Sequence, residues 1–278
     1  MNLTRFGIWT SYRAIGVENA AQAARLAQDL GYGAFWLGGS PEARELRPLL
    51  EATETLVAVT GIVNLWKSDP AVVGAEAAAL ERDYADRSLI GIGAGHPEAT
   101  SDYTRPRHAT IEFLDVLDAA PAALARERRV LAALGPKMLD LAGQRSLGSH
   151  PYFTNVEHTR FARDRLGSGS LLAPELACVV DTDVERARAS ARQYAALYLG
   201  LSNYTNNLLR VGFTERDIAD GGSDRLIDAV IPHGSAAEIA GVVHAHLEAG
   251  ADHVCLQPVG VSGVPREQWT ALARALGL

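Results

Sequence analysis

The chain has 278 residues, of which 47% are hydrophobic and 21% are charged. This composition lies close to the globular average and excludes disordered and fibrous folds. The 26 basic and 33 acidic residues give a formal net charge of −7, so neither nucleic acid nor an anionic membrane is an expected partner.

Short apolar runs alternate along the chain with segments of helical period, a pattern typical of strands that are each followed by a helix. Eight runs are predicted strands, at residues 6–9, 34–37, 57–63, 88–92, 129–133, 146–149, 176–180 and 253–257. Several are nearly continuous in apolar residues, as expected for parallel strands that are buried on both faces.

The segments between these strands carry helix signals. Residues 17–30 show one apolar stripe at helical spacing. Asp69 followed by Pro70 is a typical helix start, and Ser235 with Glu238 forms a capping box. Helices therefore fill the connections between strands.

Eight strand–helix units predict a single-domain (β/α)8 barrel over residues 1–278, with a doubly wound open sheet as the alternative. Two connections are too long for simple turns: residues 94–107 follow the fourth strand, and residues 199–233 precede the eighth. Long excursions in a compact barrel usually build lids and substrate walls. The second excursion is therefore expected to cover the barrel mouth, and a dimer contact on the outside is its alternative role.

No stretch approaches ~18 uninterrupted apolar residues, so no membrane span is predicted. The N-terminus lacks the pattern of a secretory signal, which makes a cytoplasmic location the default expectation. Cys178 and Cys255 each lie in an apolar run and are expected to be buried core thiols.

The active site of such a barrel lies at the C-terminal ends of its strands. These ends are rich in aromatic residues and glycine, and poor in acids and lysine. Paired carboxylates for glycoside hydrolysis and a lysine for a Schiff base are both missing there. His244 and His246 lie two residues apart on a predicted helix, so we expect solvated side chains rather than metal ligands.

The fourth predicted strand ends in a glycine-rich segment, residues 91–95. Glycines there would let backbone N–H groups approach an anion or a ring without interference from Cβ. A tight turn from strand to loop explains the same pattern equally well. An aromatic, glycine-lined rim without acid–base pairs suits a flat cofactor that brings its own chemistry.

Several segments resemble the luciferase-like oxidoreductases of the bacterial luciferase superfamily, in particular the compact branch that uses coenzyme F420, a deazaflavin. The segments are residues 65–71, 89–97, 148–153 with 157–159, 203–226, and 234–239 with 248–254. They keep the order of the family over nearly the whole chain. The resemblance implies a (β/α)8 barrel with F420, or alternatively FMN, across its C-terminal mouth.

The resemblance also implies a backbone bulge with a non-proline cis peptide at the end of the third strand, matched here by Gly61 and Ile62. The positions that match cofactor contacts are Gly61, Ile62, Val63, Asn64, Gly93, Ala94, Gly95, His96, Gly148, Ser149 and His150.

Four aromatic residues, Trp9, Trp36, Trp66 and Tyr204, are candidates for the substrate wall, with barrel core as the alternative role of the tryptophans. His96 and His150 are the candidate proton donors, and a bound water is an alternative. His150 precedes Pro151, which favours an extended backbone and would hold the imidazole over the mouth. Ordering of the turn that follows is its alternative role.

Many relatives that use the deazaflavin carry an acid at the end of the second strand, where this chain has Gly38 and Gly39. Acid–base catalysis from that position is therefore not expected. The main prediction is an F420-dependent oxidoreductase that transfers a hydride between the deazaflavin and a small organic substrate. The alternatives are an FMN-dependent monooxygenase of the same superfamily and a non-catalytic barrel that binds a flavin or another ligand. Such barrels often pair, so a homodimer is expected.

Overall fold

The computed structural model describes Met1 and residues 3–99, 103–120 and 124–278. Its strands are β1 (Phe6–Ser11), β2 (Ala34–Gly38), β3 (Val57–Gly61), β4 (Val63–Asn64), β5 (Ser88–Gly93), β6 (Arg129–Leu131), β7 (Gly148–Ser149), β8 (Leu171–Leu172), β9 (Glu175–Val180), β10 (His233–Gly234) and β11 (Val254–Pro258). Its α-helices are α1 (Tyr12–Ile15), α2 (Ala20–Asp29), α3 (Arg47–Glu51), α4 (Pro70–Asp83), α5 (Pro106–Ala119), α6 (Pro136–Arg145), α7 (Val156–Leu166), α8 (Val184–Leu199), α9 (Ser202–Arg210), α10 (Glu215–Ile218), α11 (Asp224–Val230), α12 (Ala236–Glu248) and α13 (Arg266–Leu276).

The strands form a closed parallel barrel. Pairing runs from β11 through β1, β2, β3, β5, β6 and β7 to β8. We call each of the eight strand positions of the barrel a stave. Strands β8 and β9 together form one stave, because β8 pairs with β7 while β9 pairs with β11. The N–H of Glu175 donates to the Pro151 carbonyl at 2.9 Å, and that of Cys255 to the Pro174 carbonyl at 3.0 Å. These bonds close the ring and confirm the predicted (β/α)8 barrel.

All eight predicted strands are present; six have ends that differ from the prediction by one or two residues, and two differ in outline. The third is divided at Ile62 into β3 and β4, and the peptide bond between Gly61 and Ile62 is cis, as the resemblance implied. The seventh begins earlier than predicted, because β8 and β9 together extend it back to Leu171.

Alternating side chains of the staves build two apolar layers. The lumen is filled by large residues such as Trp9, Trp36, Val59 and Leu89. The outward-facing side chains pack beneath the surrounding helices in a larger cluster. Cys255 belongs to the lumen and Cys178 to the outer layer, and both thiols are buried, as predicted.

The helix signals correspond to helix starts in the structure. The Asp69 carboxylate accepts a hydrogen bond from the Ala71 N–H at the start of α4, and Ser235 with Glu238 caps α12. One expectation on α12 is wrong. His246 is fully buried, with Nδ1 2.8 Å from the Thr159 hydroxyl, because this face of α12 packs on α7; only His244 is exposed.

The excursion before the last strand contains α9, α10, α11 and β10. It returns to the barrel through β10, which pairs with β9 beyond the end of β11. Its helix α9 packs beside α8 and also contacts the loop after β5. Within the described residues, none of the helices has the length and apolarity that crossing a membrane requires.

Candidate active site

Most of the candidate site residues that are partly exposed lie at the C-terminal mouth of the barrel. They are Gly61, Ile62, Trp66, Ala94, Gly95 and His96, and Ser11, Tyr152 and Gln257 lie around the same mouth with partial exposure. The C-terminal ends of β1, β3, β4, β5, β7 and β11 therefore supply an accessible edge.

Trp9 lies across the ends of two neighbouring strands. A Cβ added to Gly38 would lie 2.1 Å from its Cη2 atom, and one added to Gly61 would lie 2.9 Å from its Nε1 atom. The indole thus occupies the space in which a side chain at the end of β2 would stand. No described residue accepts a hydrogen bond from the buried Trp9 Nε1.

The predicted segments of the third and fourth strands meet at this edge. A Cβ on Gly93 would lie 3.0 Å from Ile62 Cδ1, and one on Gly95 would lie 2.9 Å from Asn64 Nδ2. Val63 is fully buried and pairs with Ile92, so it supports the edge from below. Gly93 and Gly95 therefore make room for the side chains of Ile62 and Asn64, while Gly61 and Gly95 stay partly exposed at the mouth.

Trp66 borders the same edge. Its Nε1 donates to the carbonyl of Ala94 at 2.6 Å, and its ring lies 5.8 Å from that of Tyr103. The Asn64 Oδ1 atom accepts a hydrogen bond from the Trp66 N–H. This orientation leaves the tryptophan partly exposed at the mouth.

His96 stands on the loop after β5 and contacts the excursion. Its Nδ1 atom is 3.1 Å from Asn203 Oδ1, and its ring centroid is 5.1 Å from that of Tyr204. Burial lowers the pKa of His96, while the bond to Asn203 and the charge of Glu98 act in the opposite direction. The imidazole is thus held mainly neutral near pH 7.

His150 and Trp36 occupy the lumen and not the mouth. Trp36 is fully buried and stacks on His150 with ring centroids 4.1 Å apart. His150 Nδ1 donates to the Ala173 carbonyl at 2.7 Å, and burial lowers its pKa to about 4. The expectation that His150 projects over the mouth is therefore wrong: the alternation of the strand turns its side chain inward.

Gly148 and Ser149 are also buried, at the seam between β7 and β8. A Cβ on Gly148 would lie 1.9 Å from the Leu171 carbonyl oxygen, so glycine is required there for strand pairing. The Ser149 hydroxyl donates to the Ala133 carbonyl at 3.3 Å. Gly148 and Ser149 therefore both contribute to the closure of the barrel.

A cluster of tyrosines on the opposite side of the mouth was not predicted from the sequence. The Tyr152 hydroxyl lies 2.6 Å from that of Tyr194 and 3.1 Å from that of Tyr198. Tyr152 and Tyr194 both donate to Gln257 Oε1. Burial raises the pKa of Tyr152 and Tyr194 well above the usual range, so both stay protonated.

Glu175 is a second group that the sequence analysis missed. Its carboxyl is 1% exposed, one oxygen accepts the Phe153 N–H at 3.1 Å, and the other has no partner among the described residues. Burial raises the pKa of Glu175 to about 8. The carboxyl therefore holds a proton at neutral pH. An acid directly before an apolar run was the available signal.

The edge formed by Gly61, Ile62 and Gly95 is partly exposed and consists of uncharged residues, which suits a planar conjugated ring. The unpartnered donor at Trp9 Nε1 lies beside it, as an acceptor atom of a flavin or deazaflavin would require. The described residues contain no group of three or more histidine, cysteine or acidic side chains that could hold a metal ion.

A family model described as luciferase-like monooxygenase matches residues 1–253. No curated protein matches the chain significantly. An F420-dependent secondary alcohol dehydrogenase in complex with an F420-acetone adduct is structurally similar, with 16% identity, a TM-score of 0.77 and 99% of each chain covered.

Two further solved structures are similar. The coenzyme F420 dependent tetrahydromethanopterin reductase from Methanopyrus kandleri has 16% identity and a TM-score of 0.76, with 99% of each chain covered. The FMN-bound oxygenating constituent of 3,6-diketocamphane monooxygenase from Pseudomonas putida has 14% identity and a TM-score of 0.72. That match covers 97% of this chain and 96% of the other. At these identities the likeness concerns the fold.

Proposed function

The chain belongs to the luciferase-like monooxygenase family, and on that premise we propose that it is an F420-dependent oxidoreductase. In this proposal a hydride passes between the deazaflavin and a small organic substrate. Two of the similar structures are described as F420-dependent enzymes, which supports the choice of cofactor.

The observation that carries the proposal is the glycine edge beside Trp9. Gly61 and Gly95 are partly exposed at the ends of two neighbouring strands, and the lack of side chains at Gly61, Gly93 and Gly95 makes room for Trp9, Ile62 and Asn64. Ile62 and Asn64 supply the remaining contacts along this edge. When bound, the deazaflavin supplies a carbon centre that accepts or gives up a hydride, so the protein need only bind, orient and exclude water.

The substrate wall is formed by aromatic side chains. Trp66 is partly exposed at the mouth, Tyr204 of α9 is buried with its ring against that of His96, and Trp9 lies at the top of the lumen. Gln257 presents an amide whose Oε1 atom is held by two tyrosine hydroxyls, and no described residue bonds its Nε2 atom. This amide can therefore donate to an oxygen of the substrate.

His96 replaces His150 as the proton-transferring group. It is partly exposed and largely neutral, whereas His150 is buried with its Nδ1 proton committed to a carbonyl. A neutral imidazole can accept a substrate proton, and its protonated form can return one.

A second candidate is an FMN-dependent monooxygenase, because a similar structure carries FMN on the same fold. The homodimer and the small-molecule substrate belong to the same proposal; light scattering of the purified protein tests the dimer.

The test is a titration of the purified protein with F420 and with FMN side by side. We expect F420 fluorescence quenching that saturates at low micromolar concentration, which corresponds to roughly 8 kcal/mol of binding free energy. Turnover of reduced F420 with a panel of enones and imines should follow. FMN binding without an F420 response would favour the second candidate, and F420 binding without turnover would favour a non-catalytic barrel.

A further inference from the structure

The loop after β5 and the first turn of α9 are joined by three neighbouring contacts. His96 Nδ1 lies 3.1 Å from Asn203 Oδ1. The Ser202 N–H donates to Glu98 Oε1 at 3.0 Å, and the Tyr204 ring lies 5.1 Å from the imidazole. Three consecutive residues of the excursion therefore contact the loop that carries the histidine.

The contact with Asn203 determines which ring nitrogen carries the proton. An amide oxygen can only accept, so the Nδ1 atom of the neutral His96 must be the donor. The Nε2 atom, on the opposite edge of the ring, is then unprotonated, and no described residue hydrogen-bonds to it. A histidine without such a partner would exchange between both tautomers.

We propose that Asn203 is a positioning residue that fixes the Nδ1–H tautomer of His96, so that Nε2 is the atom that exchanges a proton with the substrate. This inference rests on the proposed function, in which His96 transfers that proton. It assigns to the excursion a direct part in the reaction, beyond covering the mouth.

The charged and titratable groups around His96 agree with this assignment. Glu98 lies on its own loop, and Tyr204 faces it from α9. Neither forms a hydrogen bond to the imidazole among the described contacts. Asn203 is therefore the side chain that determines the orientation of the ring.

The test uses the protein labelled with 15N-histidine, two variants at position 203, and one variant at His96 that assigns its signal. Long-range 1H–15N correlation spectra distinguish the two tautomers of a neutral imidazole. The His96 signal is assigned by its loss in His96→Gln. We expect the Nδ1–H tautomer in the wild type, a shift towards Nε2–H in Asn203→Leu, and the wild-type tautomer in Asn203→Asp.

Kinetics give a second readout. Asn203→Leu should lower kcat by roughly 10- to 100-fold while F420 affinity stays within a few-fold, because the cofactor edge is untouched. Asn203→Asp should restore much of the rate and move the pH profile upwards, since a carboxylate beside the imidazole raises its pKa. Asn206→Leu, on the exposed side of α9, is the matched control and should behave as the wild type.

Two results would overturn the inference. One is an Nε2–H tautomer in the wild type, which would mean that the Asn203 amide is turned the other way. The other is an unchanged tautomer in Asn203→Leu. The spectra need no cofactor, so a protein that fails to bind F420 would contradict the proposed function without altering the result for Asn203.

Discussion

The ring of Trp9 explains, at the level of single residues, why β2 and β3 both end in glycine. The indole fills the space above Gly38 and its nitrogen lies beside Gly61. Relatives that place an acid at the end of the second strand need room that is taken here by an aromatic ring. In this chain the packing of Trp9 leaves no space for a side chain at Gly38.

Gly38→Ala tests this arrangement. The added Cβ would lie 2.1 Å from the Trp9 ring, so the ring or the strand must move. Such overpacking should lower the free energy of unfolding by ~1–3 kcal/mol, measured by urea denaturation. Gly169→Ala is the control, because Gly169 is exposed with open space around it and should change stability by less than ~0.5 kcal/mol. Unaltered stability and tryptophan emission in Gly38→Ala would contradict the position of the ring.

Glu175→Gln tests the buried carboxyl. Its pKa is raised from 4.5 to about 8, so between these values the native state binds a proton that the unfolded state has released. Stability must therefore fall as pH rises through this window, by up to ~1.4 kcal/mol per pH unit. We expect the wild type to lose more unfolding free energy than Glu175→Gln between pH 6 and pH 9. Parallel pH curves for the two proteins would show that the carboxyl is already ionised at pH 6.

At the scale of secondary-structure elements, the sequence predicted which strands exist but not how deeply the residues at their C-terminal ends are buried. Apolar runs identified all eight staves, and the glycine pattern identified the edge from Gly61 to Gly95. The prediction for His150 was wrong for a geometric reason. The position of a residue along its strand shows at which end of the barrel it lies, but the alternation of side chains along the strand decides whether it points into the lumen.

The tyrosine cluster was missed for a different reason. Tyr152, Tyr194 and Gln257 lie on three elements that are distant in sequence and meet only when the barrel closes. Glu175 was missed because the stave breaks after β8, and only the apolar second half has a recognisable pattern. The contacts of the tyrosine cluster depend on tertiary packing and leave no local signal, whereas the acid directly before the apolar run of β9 was a signal for Glu175.

Helix α9 gives the prediction at this scale. Tyr204→Ala should remove the ring that packs on His96 and on Phe153, loosening α9 from the mouth. Turnover should fall by roughly 10-fold or change its substrate preference, while F420 affinity stays within a few-fold. Leu209→Ala, at an exposed position of the same helix, should leave both quantities unchanged. If Tyr204→Ala keeps normal kinetics but runs as a monomer, α9 is part of an interface and not of the site.

At the scale of the whole molecule, four buried histidines make the protein sensitive to acid. Burial lowers the pKa of His150, His158, His246 and His253 to about 4, against an ordinary value of 6.5. Between these values the unfolded chain binds protons that the native state excludes. Stability is therefore lost as pH falls from about 6.5 through about 4, by up to ~1.4 kcal/mol per pH unit for each histidine.

His246→Asn removes one of these four histidines. It should therefore reduce the loss of unfolding free energy at acidic pH by the contribution of that one residue. The measurement is the free energy of unfolding in urea at pH 7, 6 and 5 for the variant and the wild type. We expect the variant, whatever its stability at pH 7, to lose less between pH 7 and pH 5. Equal losses would mean that His246 is protonated in the native state and that its contact with Thr159 is different.

The pairing of β1 with β11 also bears on how the chain is made. Strand β1 pairs with β2 on one edge and with β11, the last strand of the chain, on the other. A growing polypeptide therefore cannot complete the ring until Pro258 has left the ribosome. At about 5–20 residues per second, the roughly 250 intervening residues take on the order of 12–50 s to synthesise. Throughout that time one edge of β1 has no neighbour. We therefore expect the nascent chain to be prone to aggregation through this unpaired edge until the C-terminal strand is added.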